Sequence, residues 1–405
     1  MGTKTTEVHA AAREAFAIVS HHTHRTPALR NDYLSRTAGC EAYLKLENLQ
    51  KTGAFKIRGA LNACWKAKGR GAKVIVAASS GNHAQGVSYS CRELGLASHI
   101  FMPEFAYPNK VEATLSYGAK VHQVGETYDD CFEEALAFSE KEGAAFIHPF
   151  DDLDVIAGQG TIALELLEQV PDLDVVLVPV GGGGLISGVA SVYDNSGPRT
   201  KIIGVQSKEY PAFCESFRRG ELVDVRRGVS IADGISVKRP GKITLGLALE
   251  SVDDMVSVSD NEIVGAMFAM LERSKMVTEP AGAATVAALL SGQMDLAGKK
   301  VCAIVSGGNV NPLLLARVIT QSLRESKRLL RLSVTIPDRP GALRNVLQCV
   351  ASAGANVVDI DHIRQEPDIP PSMARVDLTV EAMTGESFGK VEACLSSKGL
   401  SFELA

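Results

Sequence analysis

The sequence predicts an α/β protein built on parallel sheets, followed by a smaller β-α-β-β-α-β tail. Three observations lead there. Short β-rich runs alternate with helical patterns from about Tyr43 to Val305, several of those runs are apolar at nearly every position, and the pattern changes beyond Arg328. In chain order the predicted strands are 43–46, 73–77, 99–102, 120–124, 174–180, 201–206 and 299–305. Runs such as DVVLVPV and KKVCAIV fit central parallel strands covered by helices on both faces. The helices between them carry spaced apolar residues, for example Ala84, Val87, Cys91 and Leu94. After Asn311-Pro312 a helix passes through Leu314, Val318 and Leu323 into the charged stretch 324–328, and a domain boundary is placed near Arg328. Beyond it, LLRLSVTIP, a helix over 340–353, ANVVDIDHIR, ARVDLTVEA, a helix over 386–397 and LSFEL give the order of the ferredoxin-like split βαβ unit. The stretch EPDIPP at 366–371 reads as a proline-stiffened hairpin loop.

A chain of 405 residues with 45% hydrophobic content can bury large cores, and its length favours two or three domains. Its longest apolar runs, such as 175–180 and 313–318, fall far short of the roughly 20 residues a spanning helix needs, so no membrane passage is expected. The opening MGTKTTEVHAAAREAF lacks the apolar core and cleavage site of a secretory signal, and the polar run after Met1-Gly2 argues against myristoylation. Eight dispersed cysteines without a CxxC pair indicate neither a zinc site nor a disulfide framework; reduced thiols in a cytoplasmic protein are the simplest expectation. The net charge of -5, with both signs interspersed, supplies no basic stripe for nucleic acid.

Chemistry concentrates in a few glycine-flanked motifs. NLQKTGAFKIRGA sets Lys56 beside Phe55 and near Arg58, with Gly53 and Gly59 allowing backbone to approach a ligand. A lysine amine becomes a nucleophile when it is partly desolvated or placed near another cation, and both influences are read here. Gly181, Gly182, Gly183 and Gly184 follow a strand and open a helix, where free N–H groups can converge on a phosphate. The tetrad is neither a P-loop nor a dinucleotide fingerprint, since no Gly-Lys-Ser/Thr or GxGxxG follows. Ser79, Ser80, Gly81, Asn82 and His83 occupy the next strand-to-helix turn of the same kind, suited to a carboxylate. Ser306-Gly-Gly-Asn309 follows another apolar strand. The cluster His21-His22-Thr23-His24 lacks a carboxylate or cysteine partner, and no metal is assigned to it.

Taken together, ENLQKTGAFKIRGA, SSGNHAQG, the HPFDD…GQGT stretch, PVGGGGL, TEPAGA and SGGN resemble the fold-type II pyridoxal-phosphate enzymes of the threonine ammonia-lyase (threonine dehydratase) type, over roughly residues 5–320. The tail with Asp338-Arg339-Pro340-Gly341 resembles an ACT domain, a small amino-acid-binding regulatory module. The resemblance implies two open, mainly parallel sheets in a catalytic domain of 1–325, with a smaller subdomain at about 49–145, and an ACT domain at 328–405. It implies pyridoxal 5'-phosphate as cofactor, attached at Lys56, with Phe55 packed on its ring and Asn82 bonded to its phenolic oxygen. Gly181 to Gly184 and Leu185 would hold the phosphate. Ser306 would face the pyridine nitrogen with a neutral hydroxyl, which leaves the ring a weaker electron sink and favours β-elimination over transamination.

The activity so implied is deamination of L-threonine, and of L-serine, to 2-oxobutanoate or pyruvate and ammonia. Lys56 would remove the Cα proton while Ser79 to His83 hold the substrate carboxylate. Ser80 aligns with the serine that related racemases use as a second base, so a serine racemase or another β-elimination or β-replacement enzyme is the alternative. A non-catalytic amino-acid sensor is the third reading. Gln206 stands where metal-binding relatives place a carboxylate, and no divalent-cation site is expected. In the tail, Gly341 and Asn356 would contact an amino-acid effector, and the assembly would be a homodimer or homotetramer.

Overall fold

In the computed structural model the alternating runs of the first part of the chain become strands. These are β1 (Ala28–Arg30), β2 (Glu41–Leu46), β3 (Val74–Ala78), β4 (Ala97–Met102), β5 (Lys120–Gln123), β6 (Ala145–Phe146), β7 (Val175–Pro179), β8 (Lys201–Ser207), β9 (Asp254–Val258) and β10 (Lys300–Val305). The structure describes residues 4–197, 199–225, 228–382 and 386–404, so the Met1-Gly2 opening lies outside the described residues. The chain divides into two units, Met1–Asn311 and Pro312–Ala405. The division precedes the helix Pro312–Glu325, which the sequence assigned to the catalytic part, and β11 (Leu329–Pro337) begins just past Arg328.

The first unit holds two sheets. One has the order β1-β2-β10-β7-β8-β9, the other β5-β4-β3-β6. All neighbouring strands are parallel except β1, which pairs antiparallel with β2. The seven strands expected from the sequence are present, and the short β1, β6 and β9 are additional. Ile162, Val176, Val178, Ile186, Val189 and Ile304 are fully buried around the large sheet, and Leu61, Ile75, Val87 and Ile100 around the small one. Full burial of each such side chain stabilises by about 1.5–3 kcal/mol relative to exposure. Parallel pairing sends the chain off each strand at the same edge, and loops at that edge form a crevice. Leu46 pairs with Val305 in register, so the segments that follow β2 and β10 start level with one another.

In the second unit β11, β12 (Ala355–Ile363), β13 (Met373–Ala382) and β14 (Ser401–Leu404) form an antiparallel sheet of order β12-β13-β11-β14. Helices Ala342–Ser352 and Ser387–Ser397 complete the βαββαβ order read from the sequence. Gly341 sits at the strand-to-helix turn with φ +89, a left-handed conformation that favours glycine, and Asn356 is exposed near the start of β12. The cysteines depart from expectation. Cys349 and Cys394 form a disulfide between the two helices, with Cα atoms 5.5 Å apart, while Cys40, Cys64, Cys91, Cys131, Cys214 and Cys302 are free and buried. The pair is 45 residues apart in sequence and meets only because both helices cover the same sheet, which no local spacing reveals. No described helix is long and apolar enough to cross a membrane.

Candidate active site

The segment 52–56 is held against the segment 306–309 by backbone pairing. Ala54 bridges Gly307, the Phe55 N–H donates to the Ser306 carbonyl at 3.0 Å, and the Gly308 N–H donates to the Gly53 carbonyl at 2.8 Å. The two segments approach this closely because Gly53 has φ +70; a Cβ there would lie 2.3 Å from Asn309 Oδ1. Lys56 is thereby fixed as the first residue of helix Lys56–Gly69, at the mouth of the large sheet. Its Nζ donates to the Pro149 carbonyl at 2.8 Å and stands 5.4 Å from the centre of the Phe55 ring. Burial pulls its pKa down to about 8, against the opposing charge of Glu279.

Arg58 plays no part in that shift, contrary to the sequence expectation. Two positions further along a helix its side chain points to another face, where it is fully buried and bonded to Glu47 and Glu165. Lys56 is tuned by desolvation.

The glycine tetrad wraps the start of helix Gly184–Asp194, with Gly183 as N-cap at φ +98. Two of the four glycines have a clear steric reason. A Cβ on Gly182 would enter the Phe150 ring at 2.4 Å, and one on Gly183 would meet Phe213 at 2.3 Å and Thr244 at 2.8 Å. From behind, Thr244 Oγ1 donates to the Gly182 carbonyl at 2.7 Å. The loop is therefore rigid, and its N–H groups are left at a helix N-terminus that favours an anion. Leu185 contributes backbone only, its side chain being buried in the core.

Ser79, Ser80 and Gly81 follow β3 and lead into helix Asn82–Leu94. With Lys56, Phe55, Asn82, His83, the glycine tetrad, Leu185 and Ser306 they line one cavity of about 420 Å³. Every catalytic, cofactor and substrate residue expected from the sequence is on its wall. His83 is 3% exposed, and its Nε2 lies 3.0 Å from the Ile147 carbonyl, which can only accept, so Nε2 carries the proton. Nδ1 is then a buried acceptor without a protein partner. Burial and the nearby Lys56 lower this imidazole to about 3 and keep it neutral.

Glu279, in the TEPAGA motif, is a site residue that the sequence alone does not single out. Glu279 is 7% exposed at the cavity wall and accepts from Asn82 Nδ2 at 2.7 Å. Burial and Asp233 raise its carboxyl to about 7, against Asn82, Lys110 and Lys56. The available signal was an acid placed directly before the apolar helix Pro280–Leu290, whose side chain makes no cap bond to that helix. Asp151 and Asp152 of the HPFDD stretch turn out to serve as helix caps, Asp151 accepting from the amides of Lys242, Ile243 and Thr244 and Asp152 from those of Asp154 and Val155. Gln206 Oε1 accepts from the Phe213 and Cys214 amides.

This geometry matches a known family. The model of the pyridoxal-phosphate dependent enzymes covers residues 19–307. The chain belongs to that family. It is 43% identical over 388 residues to the L-threonine ammonia-lyase of Thermotoga maritima, a match spanning 96% of each chain. Among solved structures it is similar to the processed form of threonine deaminase isoform 2 from Solanum lycopersicum, with TM-score 0.74, 33% identity and coverage of 78% of this chain and 93% of that one. It is also similar to maize serine racemase, with TM-score 0.73, 34% identity and coverage of 79% and 98%. The paired open sheets are the fold-type II arrangement, and pyridoxal 5'-phosphate is the cofactor.

The residues present fit that group. A desolvated amine, the glycine run at the start of a helix, and the buried Nδ1 of His83, which has no protein partner, belong to residues of the same cavity wall.

Proposed function

We propose that this chain is a threonine ammonia-lyase that converts L-threonine to 2-oxobutanoate and ammonia, and L-serine to pyruvate and ammonia. One observation carries the reading. The Lys56 amine, lowered to about 8, opens into the same cavity as an amide cradle at a helix N-terminus. When bound, pyridoxal 5'-phosphate supplies an electrophilic carbon for the substrate amine and a conjugated ring that stabilises the electron pair left at Cα.

The chain's own groups do the rest. The amides of Gly181 to Gly184 would hold the phosphate, and Asn82 would donate to the phenolic oxygen. Phe55 would lie against the ring, and Ser306 would present a neutral hydroxyl to its nitrogen. The hydroxyls and amides of Ser79 to His83 hold the substrate carboxylate at the start of a helix. Lys56 Nζ would take the Cα proton, and its lowered pKa leaves it a competent base near neutrality. The β-hydroxyl departs as water. The unsaturated amine that is released rearranges and takes up one water, giving the 2-oxo acid and ammonia.

Purified protein saturated with cofactor is expected to release 2-oxobutanoate and ammonia in equal amounts from L-threonine. No 2-oxo acid from threonine or serine would sink the reading. Ser80 on the same cavity wall, together with the likeness to maize serine racemase, favours one alternative, racemisation of serine. Chiral chromatography of serine after incubation separates the two, since a racemase yields D-serine faster than pyruvate.

The lowered amine pKa has a direct kinetic consequence. Only the neutral amine attacks an aldehyde, so lowering Lys56 from 10.5 to about 8 increases its reactive fraction. At about pH 7.5 that fraction rises from roughly one in a thousand to roughly a quarter. Apoenzyme is expected to capture pyridoxal 5'-phosphate faster with rising pH, with an inflection near 8. A stopped-flow absorbance rate that climbs without inflection to about pH 10 would place the amine in water instead.

We further propose that the second unit acts as an ACT-type module, with Gly341 and Asn356 contacting an amino-acid effector, in a homodimer or homotetramer. Gly341 at a left-handed strand-to-helix turn and the exposed Asn356 support this. A chain ending at Arg328 is expected to keep threonine deamination and lose any change in rate caused by added amino acids. An unaltered response in the shortened chain would move the effector site elsewhere.

A further inference from the structure

The orientation of the Asn82 carboxamide is determined by its neighbours. Asn309 Nδ2 lies 2.8 Å from the Thr52 carbonyl, an atom that can only accept, so the nitrogen of Asn309 is the end that faces inward. Its second hydrogen points to Asn82 at 2.8 Å, and the atom receiving it must be the amide oxygen. The nitrogen of Asn82 then faces Glu279 Oε1 at 2.7 Å. One N–H of Asn82 is consumed there, and one remains for an acceptor in the cavity.

Glu279 is itself held in place. Its N–H donates to the Gly307 carbonyl at 3.1 Å, and its carboxylate occupies the space beside Gly307, where a Cβ would lie 2.2 Å from Oε1. The carboxylate makes no cap bond to the helix that follows and is turned toward the cavity wall. The charged groups that act on it are Asp233, Lys110 and Lys56.

We propose that Glu279 and Asn309 are positioning residues that lock Asn82 from both ends, so that its one free N–H is presented permanently to the acceptor oxygen of the cofactor ring. The inference rests on the assignment of Asn82 as the phenolic-oxygen contact. A free amide would rotate and offer its oxygen, a repelling acceptor, for part of the time. The locked amide has already lost that freedom before the cofactor arrives, which is preorganisation of a binding contact.

The test is a double-mutant cycle on the full-length apoenzyme titrated with pyridoxal 5'-phosphate, read by visible absorbance and dissociation constant. Asn82→Ala is expected to weaken binding by about tenfold, and Glu279→Ala by roughly three- to tenfold. Glu279→Gln keeps a carbonyl acceptor for Asn82 and is expected to stay within about twofold of the parent. Combining Glu279→Ala with Asn82→Ala should weaken binding no further than Asn82→Ala alone. A double variant as weak as the product of the single effects would overturn the proposal, because Glu279 would then act independently of Asn82. If Glu279→Ala fails to fold, the same cycle with Asn309→Ala decides by the same criterion. An Asn82→Ala variant that binds like the parent would instead remove the assignment of Asn82, a separate failure.

Discussion

Lys56→Ala is expected to leave a colourless protein with threonine deamination lowered by roughly three orders of magnitude or more. The expectation follows from position more than from residue type. Backbone pairing of 54–55 with 306–307 places this amine alone at the start of a helix, beside Phe55 and below the Pro149 carbonyl. Alanine preserves the helix and the pairing, so the fold persists while both the attachment point and the base disappear. Lys56→Arg is expected to fail as well, since a guanidinium stays protonated and cannot join an aldehyde. Borohydride reduction of the parent protein followed by peptide mass mapping should find the label on the peptide carrying Lys56. A yellow Lys56→Ala protein, or a label on another lysine, would refute the assignment.

The parts of this molecule that could be read from sequence are those in which one residue type answers one local need. DVVLVPV and KKVCAIV had to be central strands because both faces are covered, and they are β7 and β10. Gly182 and Gly183 had to be glycine because Phe150, Phe213 and Thr244 occupy the space of a side chain there, so a glycine run between a strand and a helix pointed to the site once it was read with the other motifs. β1, β6 and β9 were missed because they are short or mixed in polarity and are ordered by their neighbours in the sheet.

The misread residues failed for a different reason. Arg58 lies two positions from Lys56, which looks close in sequence and is the opposite side of a helix. Glu279 meets Asn82 across a separation of 197 residues, and the Cys349–Cys394 disulfide depends on two helices sharing a sheet face. Such relations are created by tertiary packing and have no local pattern.

Arg58→Met is expected to destabilise the first unit by about 3–5 kcal/mol, because it leaves one buried carboxylate charge unbalanced. Arg58 is fully buried, with Nε and Nη2 on Glu47 at 2.8 Å and Nη1 on Glu165 at 2.7 Å. Lys45 joins the same network through Glu165, the Thr26 carbonyl and Gln169. Two cations thus balance two anions, and removing one leaves the cluster charged. Burial alone would raise the Glu47 carboxyl, and Arg58 outweighs it and holds it below the usual range. That depressed value contributes stability above the carboxylate's unfolded pKa and is lost as pH falls through the folded one. In Arg58→Met the sign reverses, since an unpaired buried carboxylate prefers its proton. The loss should therefore be greatest near neutral pH and shrink as the solution is acidified toward about pH 5, measured as the difference in urea midpoint between variant and parent. Arg58→Met combined with Glu47→Leu restores neutrality and leaves the Lys45–Glu165 pair intact, so it should recover a large part of the stability. A single variant that costs under about 1 kcal/mol at every pH would mean that water reaches the cluster and that its charges are screened like those of a surface pair. Helix Lys56–Gly69 carries both Lys56 and Arg58, so loosening this network should also broaden the position of the catalytic amine. Weaker cofactor retention in Arg58→Met than in the neutral double variant would show that coupling.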